Sequence, residues 1–291
     1  MDFGLICIDI LTGLSRGLLY FLIASGLAVT LGTLGIINFA HGAFYMCGAY
    51  IAWTVAQVIG NVIGAFWIGA AVGTAFMFLI GLLIEFVLLR RIYATEHLYQ
   101  MLLTFALVLV IDGLALEIWG GLPKSIFLPE YLRGHLSVMG HPWPVYSLFT
   151  LLFSTALAIG LWFLLYRTRF GKECRAAAMD REVSEALGIN VPRVFMLMFA
   201  TGAAIAALAG GVGTAFYSVS PGLGVGIIVI CFAIIVIGGM GSLMGAFIGA
   251  LILGMIESFG WHYFPWLAMH IPYILMAVIL LTRPQGLFGR R

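Results

Sequence analysis

The sequence predicts an all-α polytopic membrane protein with about eight or nine transmembrane helices, and three observations lead there. Of 291 residues, 63 % are hydrophobic and 9 % charged, with a mean hydropathy of +1.13. Soluble chains carry about 25 % charged residues and need them to cover a core of this size. The apolar runs are continuous rather than alternating, which excludes an outer-membrane barrel. Thirty-seven glycines suit helices that pack closely in lipid.

The elements follow from length and charge. A hydrocarbon core about 30 Å thick takes about 20 apolar residues per helix. Candidate spans are 8–33, 39–59, 64–88, 98–119, 145–166, 195–217, 222–239, 243–261 and 266–282. Asp2 and Asp9 stand where a secretory signal carries positive charge, and no small-residue cleavage site follows, so the first span is expected to be retained. Lys and Arg accumulate on the cytoplasmic side. That places Arg90, Arg91, the segment 167–193 and the tail with Arg283, Arg290 and Arg291 inside, and the loop 120–144 outside. Four crossings are then required between 193 and 283, whereas two or three fit before Arg90, leaving the side of Met1 open. Pro123, Pro129, Pro142 and Pro144 exclude a long helix from the outer loop, and Trp119, Tyr131, Trp143 and Tyr146 suit an interfacial aromatic belt.

The segment Arg167–Arg193 is a charged island in an oily chain. It holds Arg167, Arg169, Lys172, Arg175, Arg181 and Arg193, interleaved with Glu173, Asp180, Glu182 and Glu185. Within it, Lys172–Leu187 reads as one short helix with Met179, Val183, Ala186 and Leu187 at helical spacing, and Gly188 stops it. Pro192 suits the first turn of the next span. A cytoplasmic amphipathic helix of this kind is a docking element; the plainer alternative is a solvated connector.

An internal repeat is expected as well, with inverted halves and broken or re-entrant helices. The Gly-Ala-Phe core of His41–Phe44 matches that of Met244–Phe247, and each follows an interruption, Ile36–Asn38 and Gly238–Ser242. Interrupted segments in corresponding halves point to a transport path near the bilayer midplane. Candidate path residues are Asn38, His41, Gly42, Asp112, Gly239, Gly241 and Ser242. For Asn38 and His41, capping of broken helix ends competes with lining a path. Asp9 and Arg16, seven apart on one helix face, are candidates for linkage through a neighbouring helix.

No HExxH, GxSxG or GxxxxGK[ST] motif is present, so neither a catalytic centre nor ATP hydrolysis is expected of this chain. Cys7, Cys47, Cys174 and Cys231 form no CxxC pair and imply no disulfide or metal. No cofactor is expected, and a net charge of +2 carries no message about nucleic acid.

The stretches Gly26–Tyr50, Leu98–Gly120, Arg167–Val194, Gly238–Ala250 and Arg283–Gly289 together resemble the branched-chain amino acid ABC transporter permease family, specifically the smaller of its two membrane subunits. INFAHGAF, the RTRFG…GIN loop and RPQGLFG are its specific strings. The resemblance implies a single permease domain over 1–291 in a bacterial inner membrane, surrounded by lipid. It also implies a second homologous permease subunit, two cytoplasmic ATP-binding subunits and a soluble substrate-binding protein. Residues 167–194 then correspond to the loop that couples to the ATPase, through Glu173, Arg175, Ala176, Ala177, Met179, Val183, Glu185 and Gly188. In that assignment Ala176–Ala178 offer a flat face, Met179 and Val183 an anchor, and Arg175 and Glu185 polar edges. Leucine, isoleucine or valine is the expected cargo. Urea and short amides are alternatives among relatives, and an ion-coupled secondary transporter is the competing class.

Overall fold

The computed structural model describes residues 3–60, 64–93, 95–125 and 128–288. Arg290 and Arg291 of the basic tail, with Met1 and Asp2, lie outside them. The chain begins with α1 (Phe3–Leu34), a 32-residue helix and the most enclosed of the membrane-length helices. After a non-helical stretch come α2 (His41–Ile59), α3 (Ala65–Val87) and α4 (His97–Trp119). The outer loop forms a hairpin of β1 (His135–Val138) and β2 (His141–Pro144), antiparallel with His135 opposite Pro144. Met139 and Gly140 both have positive φ, as a two-residue primed turn requires. Then follow α5 (Val145–Arg167), the short α6 (Arg169–Met179) and α7 (Arg181–Ala186), and α8 (Val191–Gly213). The chain continues through α9 (Leu223–Gly238), α10 (Leu243–Tyr263), the four-residue α11 (Pro265–Ala268) and α12 (Ile271–Thr282).

Seven of these helices are long and apolar enough to span a membrane, and α9 and α12 are shorter apolar helices. Counting all nine as crossings puts Arg90, the 167–193 segment and Arg283 on one side and the hairpin on the other. Four crossings (α8, α9, α10 and α12) separate 193 from 283, as the charges demand. The start of α1 lies beside the hairpin, because Trp143 Nε1 donates to Thr12 Oγ1 at 3.2 Å. The chain therefore starts on the same side as the hairpin.

The centre is built on α1, α8 and α10. Gly17 and Gly254 let α1 and α10 touch backbone to backbone, since a Cβ on Gly17 would come within 3.0 Å of the Ala250 carbonyl oxygen. Phe21 and Phe247 cross edge to face at 5.2 Å in the same seam. Polar pairs close its outer half. Asp9 meets His262 at 3.1 Å and Arg16 meets Glu257 at 3.9 Å, so the two α1 charges are indeed linked through a neighbour. Two aromatics expected at the interface are spent on packing instead. Trp143 is buried on α1, and the Tyr146 hydroxyl donates to Val212 O of α8 at 2.5 Å.

Residues 35–40 are the local problem of this fold. They run non-helically from the cytoplasmic end of α1 back toward the midplane, where α2 starts. His41 Nε2 bonds Ile23 O at 2.8 Å, and Ile23 lies about 16 Å along α1 from Leu34 at 1.5 Å per residue. Backbone polar groups at that depth need partners inside the protein. The Asn38 side chain accepts from Ala40 N at 3.0 Å. From α4, Thr104 Oγ1 donates to Ile37 O and accepts from Phe39 N, both at 3.3 Å.

Thr104→Val keeps the shape and removes both partners, at a cost of about 1–3 kcal/mol for buried polar groups left unpaired. The thermal unfolding midpoint in detergent is expected to fall for Thr104→Val and to stay near wild type for Thr104→Ser. Equal midpoints for both would remove Thr104 from this account.

Candidate functional site

The structure divides the candidate residues among three places. At the midplane, Asn38 and His41 hold the broken start of α2, and both are buried. Gly42 there crosses Gly224 of α9 so closely that a Cβ on Gly42 would overlap the Gly224 carbonyl oxygen. The segment before α9, 214–222, is non-helical like 35–40. Both α2 and α9 thus follow a non-helical lead-in, and so does α10, whose Gly-Ala-Phe comes after the turn 239–242.

Asp112 stands apart, toward the outer end of α4. Its Oδ1 accepts from Gly222 N at 3.2 Å, placing a carboxylate at the N-terminus of α9 where the helix dipole favours it. Lys124 of the outer loop bridges to Val219 with paired backbone bonds of 2.8 Å, so the lead-in to α9 is held from two sides.

The third place lies beside the charged island. Gly239, Gly241 and Ser242 form the turn between α9 and α10, and Ser242 caps α10 by accepting from Gly245 N at 3.0 Å. This break lies at the cytoplasmic end of α1, where Gly241 O meets Gly32, rather than at the midplane. A cavity of 740 Å³ opens there. Its walls include Gly32 and Thr33 of α1, His97 of α4, Leu165 and Tyr166 of α5, Gly241 and Ser242, and Cys174, Arg175 and Met179 from the charged island. Path candidates and loop candidates thus share one vestibule.

The charged island is two helices where the sequence predicted one. Asp180 is extended (φ −153°, ψ 111°) and its Oδ1 accepts from Val183 N at 3.0 Å, so it ends α6 and caps α7. A short acidic side chain competes for backbone donors in this way, and such a cap contributes about 1 kcal/mol. Thr168 caps α6 from Gly171 N at 3.1 Å, and Asn190 caps α8 from Arg193 N at 3.1 Å. Gly188, at φ +86°, closes α7. Ile189 N bonds Ser184 O and Gly188 N bonds Glu185 O, both at 3.0 Å, which is the Schellman arrangement.

Helix α6 is fastened to the membrane helices. Cys174 and Ala177 pack among Val29 of α1, Leu161 and Leu165 of α5, and Val191, Val194 and Met198 of α8. Arg175 donates to the Leu165 carbonyl and lies 5.1 Å over the Tyr166 ring, so it caps the end of α5. Ala177 and Arg175 therefore face the protein, not an outside partner, and Ala176 is half-buried. The three alanines, being consecutive, point around the helix, so that Ala177 packs on α8 while Ala178 is exposed. Glu173 and Glu185 are exposed, the latter 3.1 Å from Arg181.

What remains free is apolar side-chain surface on both sides of the break: Met179, the last residue of α6, and Val183 and Leu187 at α7 are 81 %, 54 % and 76 % exposed. Beneath α7, Tyr93 donates to the fully buried Glu85 at 2.7 Å and packs edge to face on Phe195 of α8 at 5.7 Å. Burial and that bond push the Tyr93 hydroxyl well above the ordinary tyrosine range. Among the described residues there is no group of three His, Cys, Asp or Glu that could hold a metal ion.

Two outcomes follow. Burial pushes the Cys174 thiol up to about 12, so its thiolate is scarce at pH 8 and appears only as the pH approaches that value. Maleimide at pH 8 is expected to leave Cys174 unlabelled until the protein is denatured; labelling of the folded protein would contradict the packing of α6. Gly188→Val forces a β-branched residue to positive φ at about 1–2 kcal/mol. Amide exchange across 181–187 is expected to quicken while α8 stays protected, and unchanged exchange would show that the cap is dispensable.

Known proteins place this arrangement. The family profile described as "Branched-chain amino acid transport system / permease component" matches residues 9–280. The high-affinity branched-chain amino acid transport system permease protein BraD of Pseudomonas aeruginosa is 31 % identical over 97 % of this chain and 95 % of its own length. LivH of Escherichia coli, described in the same words, is 32 % identical over 96 % and 94 %. In fold, the chain resembles PsaBC from Streptococcus pneumoniae in complex with Fab, with a TM-score of 0.51, 13 % identity, and 96 % of this chain and 91 % of that one covered. With a profile matching nearly end to end and relatives above 30 % identity over their full length, this multi-pass membrane protein belongs to the branched-chain amino acid transport system permease family.

Proposed function

We propose that this chain is the non-catalytic permease subunit of an ATP-driven importer of branched-chain or other small aliphatic amino acids. It works with a second homologous permease subunit, two cytoplasmic ATP-binding subunits and a soluble substrate-binding protein. The observation that carries this reading is the apolar surface exposed by Met179 at the end of α6 and by Val183 and Leu187 at the capped α7. An amphipathic helix of this kind seats in an apolar cleft. Glu173, Arg181 and Glu185 at its edges supply polar contacts around the seat. The cargo assignment is supported by the names of the relatives and by the apolar interior.

The mechanism needs a rigid link from that seat to the path. Movement of an ATP-binding subunit displaces α7, and the contacts of α6 pass the displacement to α1, α5 and α8. The 740 Å³ vestibule changes shape because Arg175 and Met179 belong to its wall. Gly241 and Ser242 line it, with Gly239 in the same turn, and the α2–α9 crossing at Gly42 and Gly224 is the narrow part of the path.

Purification from native membranes in mild detergent is expected to recover two ATP-binding subunits and a second permease. Met179→Asp and Val183→Asp place a carboxylate in the seat, and each is expected to weaken that association at least about tenfold, or about 1.4 kcal/mol. ATP-dependent uptake of leucine, isoleucine or valine falls in parallel. Recovery of the chain alone, with uptake in liposomes lacking ATP, would establish a secondary transporter instead.

A further inference from the structure

A second cavity, of 570 Å³, opens between α1, α5 and α10. Leu18, Phe21, Ala158, Trp162, Met244 and Phe247 form its apolar walls. Thr155 is one of two lining residues with a hydroxyl, and its Oγ1 is already spent on Leu151 O at 2.6 Å. The groove therefore offers little to a polar solute. All three helices are of membrane-spanning length, so the medium at its mouth is hydrocarbon. Ile159 and Met244 on its rim are 62 % and 55 % exposed.

One end of this groove is basic. Trp162 and Tyr166 are about half exposed at the cytoplasmic end of α5, and the Arg167 guanidinium lies 5.5 Å over the Trp162 ring. Arg167 and Arg169 are themselves exposed. Aromatic side chains at headgroup level, with basic side chains just cytoplasmic of a span, suit an anionic lipid. We infer that the groove binds an anionic phospholipid, with one acyl chain along α1 and α10 and the phosphate held by Arg167.

The position of this site gives it a consequence. Tyr166 and Leu243 line both the groove and the cytoplasmic vestibule. Arg175 of α6 rests on the far side of Tyr166. A bound acyl chain braces the wall against which α6 is fastened, so the lipid is a structural ligand of the docking element.

The test uses the complete chain with its native partners in nanodiscs containing phosphatidylglycerol that carries a photoactivatable group on one acyl chain. Adducts are expected to concentrate on 158–166 and 243–251. Adducts spread evenly over the exposed faces of α4 and α5, or a protein cross-link covering the groove, would overturn the proposal. Arg167→Ala is expected to lower labelling about fivefold, matching the roughly 1 kcal/mol contributed by one basic residue near an anionic surface. Labelling by the phosphatidylcholine analogue stays unchanged in the same variant. If Arg167→Ala leaves phosphatidylglycerol labelling intact, the headgroup assignment is wrong.

Discussion

Every non-helical backbone group at membrane depth must find a partner inside the protein, and the segment 35–40 is where this chain meets that constraint. Because Thr104 and Asn38 satisfy its backbone, α2 can begin at the midplane rather than at the cytoplasmic face. Because α2 begins there, Gly42 reaches Gly224 and the two half-buried helices cross. The outer end is handled by the same logic, with Asp112 accepting from Gly222 and Lys124 pairing with Val219. A permease needs a place where the bilayer-depth barrier is thin and adjustable. In the proposed function, a crossing of glycine backbones held by a few polar contacts is that place.

The cytoplasmic side solves a different problem, how to be docked without being loose. Val183 and Leu187 at α7, with Met179 at the very end of α6, carry the free apolar surface, and the body of α6 is committed inward through Cys174, Ala177 and Arg175. The break at Asp180 separates the two duties. One continuous helix would keep a single stripe for both docking and packing, whereas the extended residue resets the direction of α7. Capping at Thr168, Asp180, Gly188 and Asn190 keeps the pair ordered despite its exposure.

Much of this was legible in the sequence where the signal is local. Continuous apolar runs marked the membrane-length helices. Gly188 as a helix stop and Pro192 in a first turn depend on nearby backbone alone. The α6–α7 break was missed because Asp180 at helical spacing reads as a surface charge until its side chain is seen to accept from Val183 N. The contacts of Arg175 were not legible, because its partner, the Leu165 carbonyl, belongs to another helix. Thr104 was overlooked although a signal existed. Gln100, Thr104 and Val108, four apart, form the buried stripe of α4, and a hydroxyl on such a stripe serves a neighbouring backbone.

The central claim is that α7 is the seat for an ATP-binding subunit and that α6 transmits its movement. The most direct measurement places a photo-crosslinking residue at Val183 in the intact membrane complex and maps the adducts. The account predicts cross-links to an ATP-binding subunit from position 183, and none from Ala177 on the inward face of α6. Adducts from 183 confined to lipid or to this chain itself would contradict it.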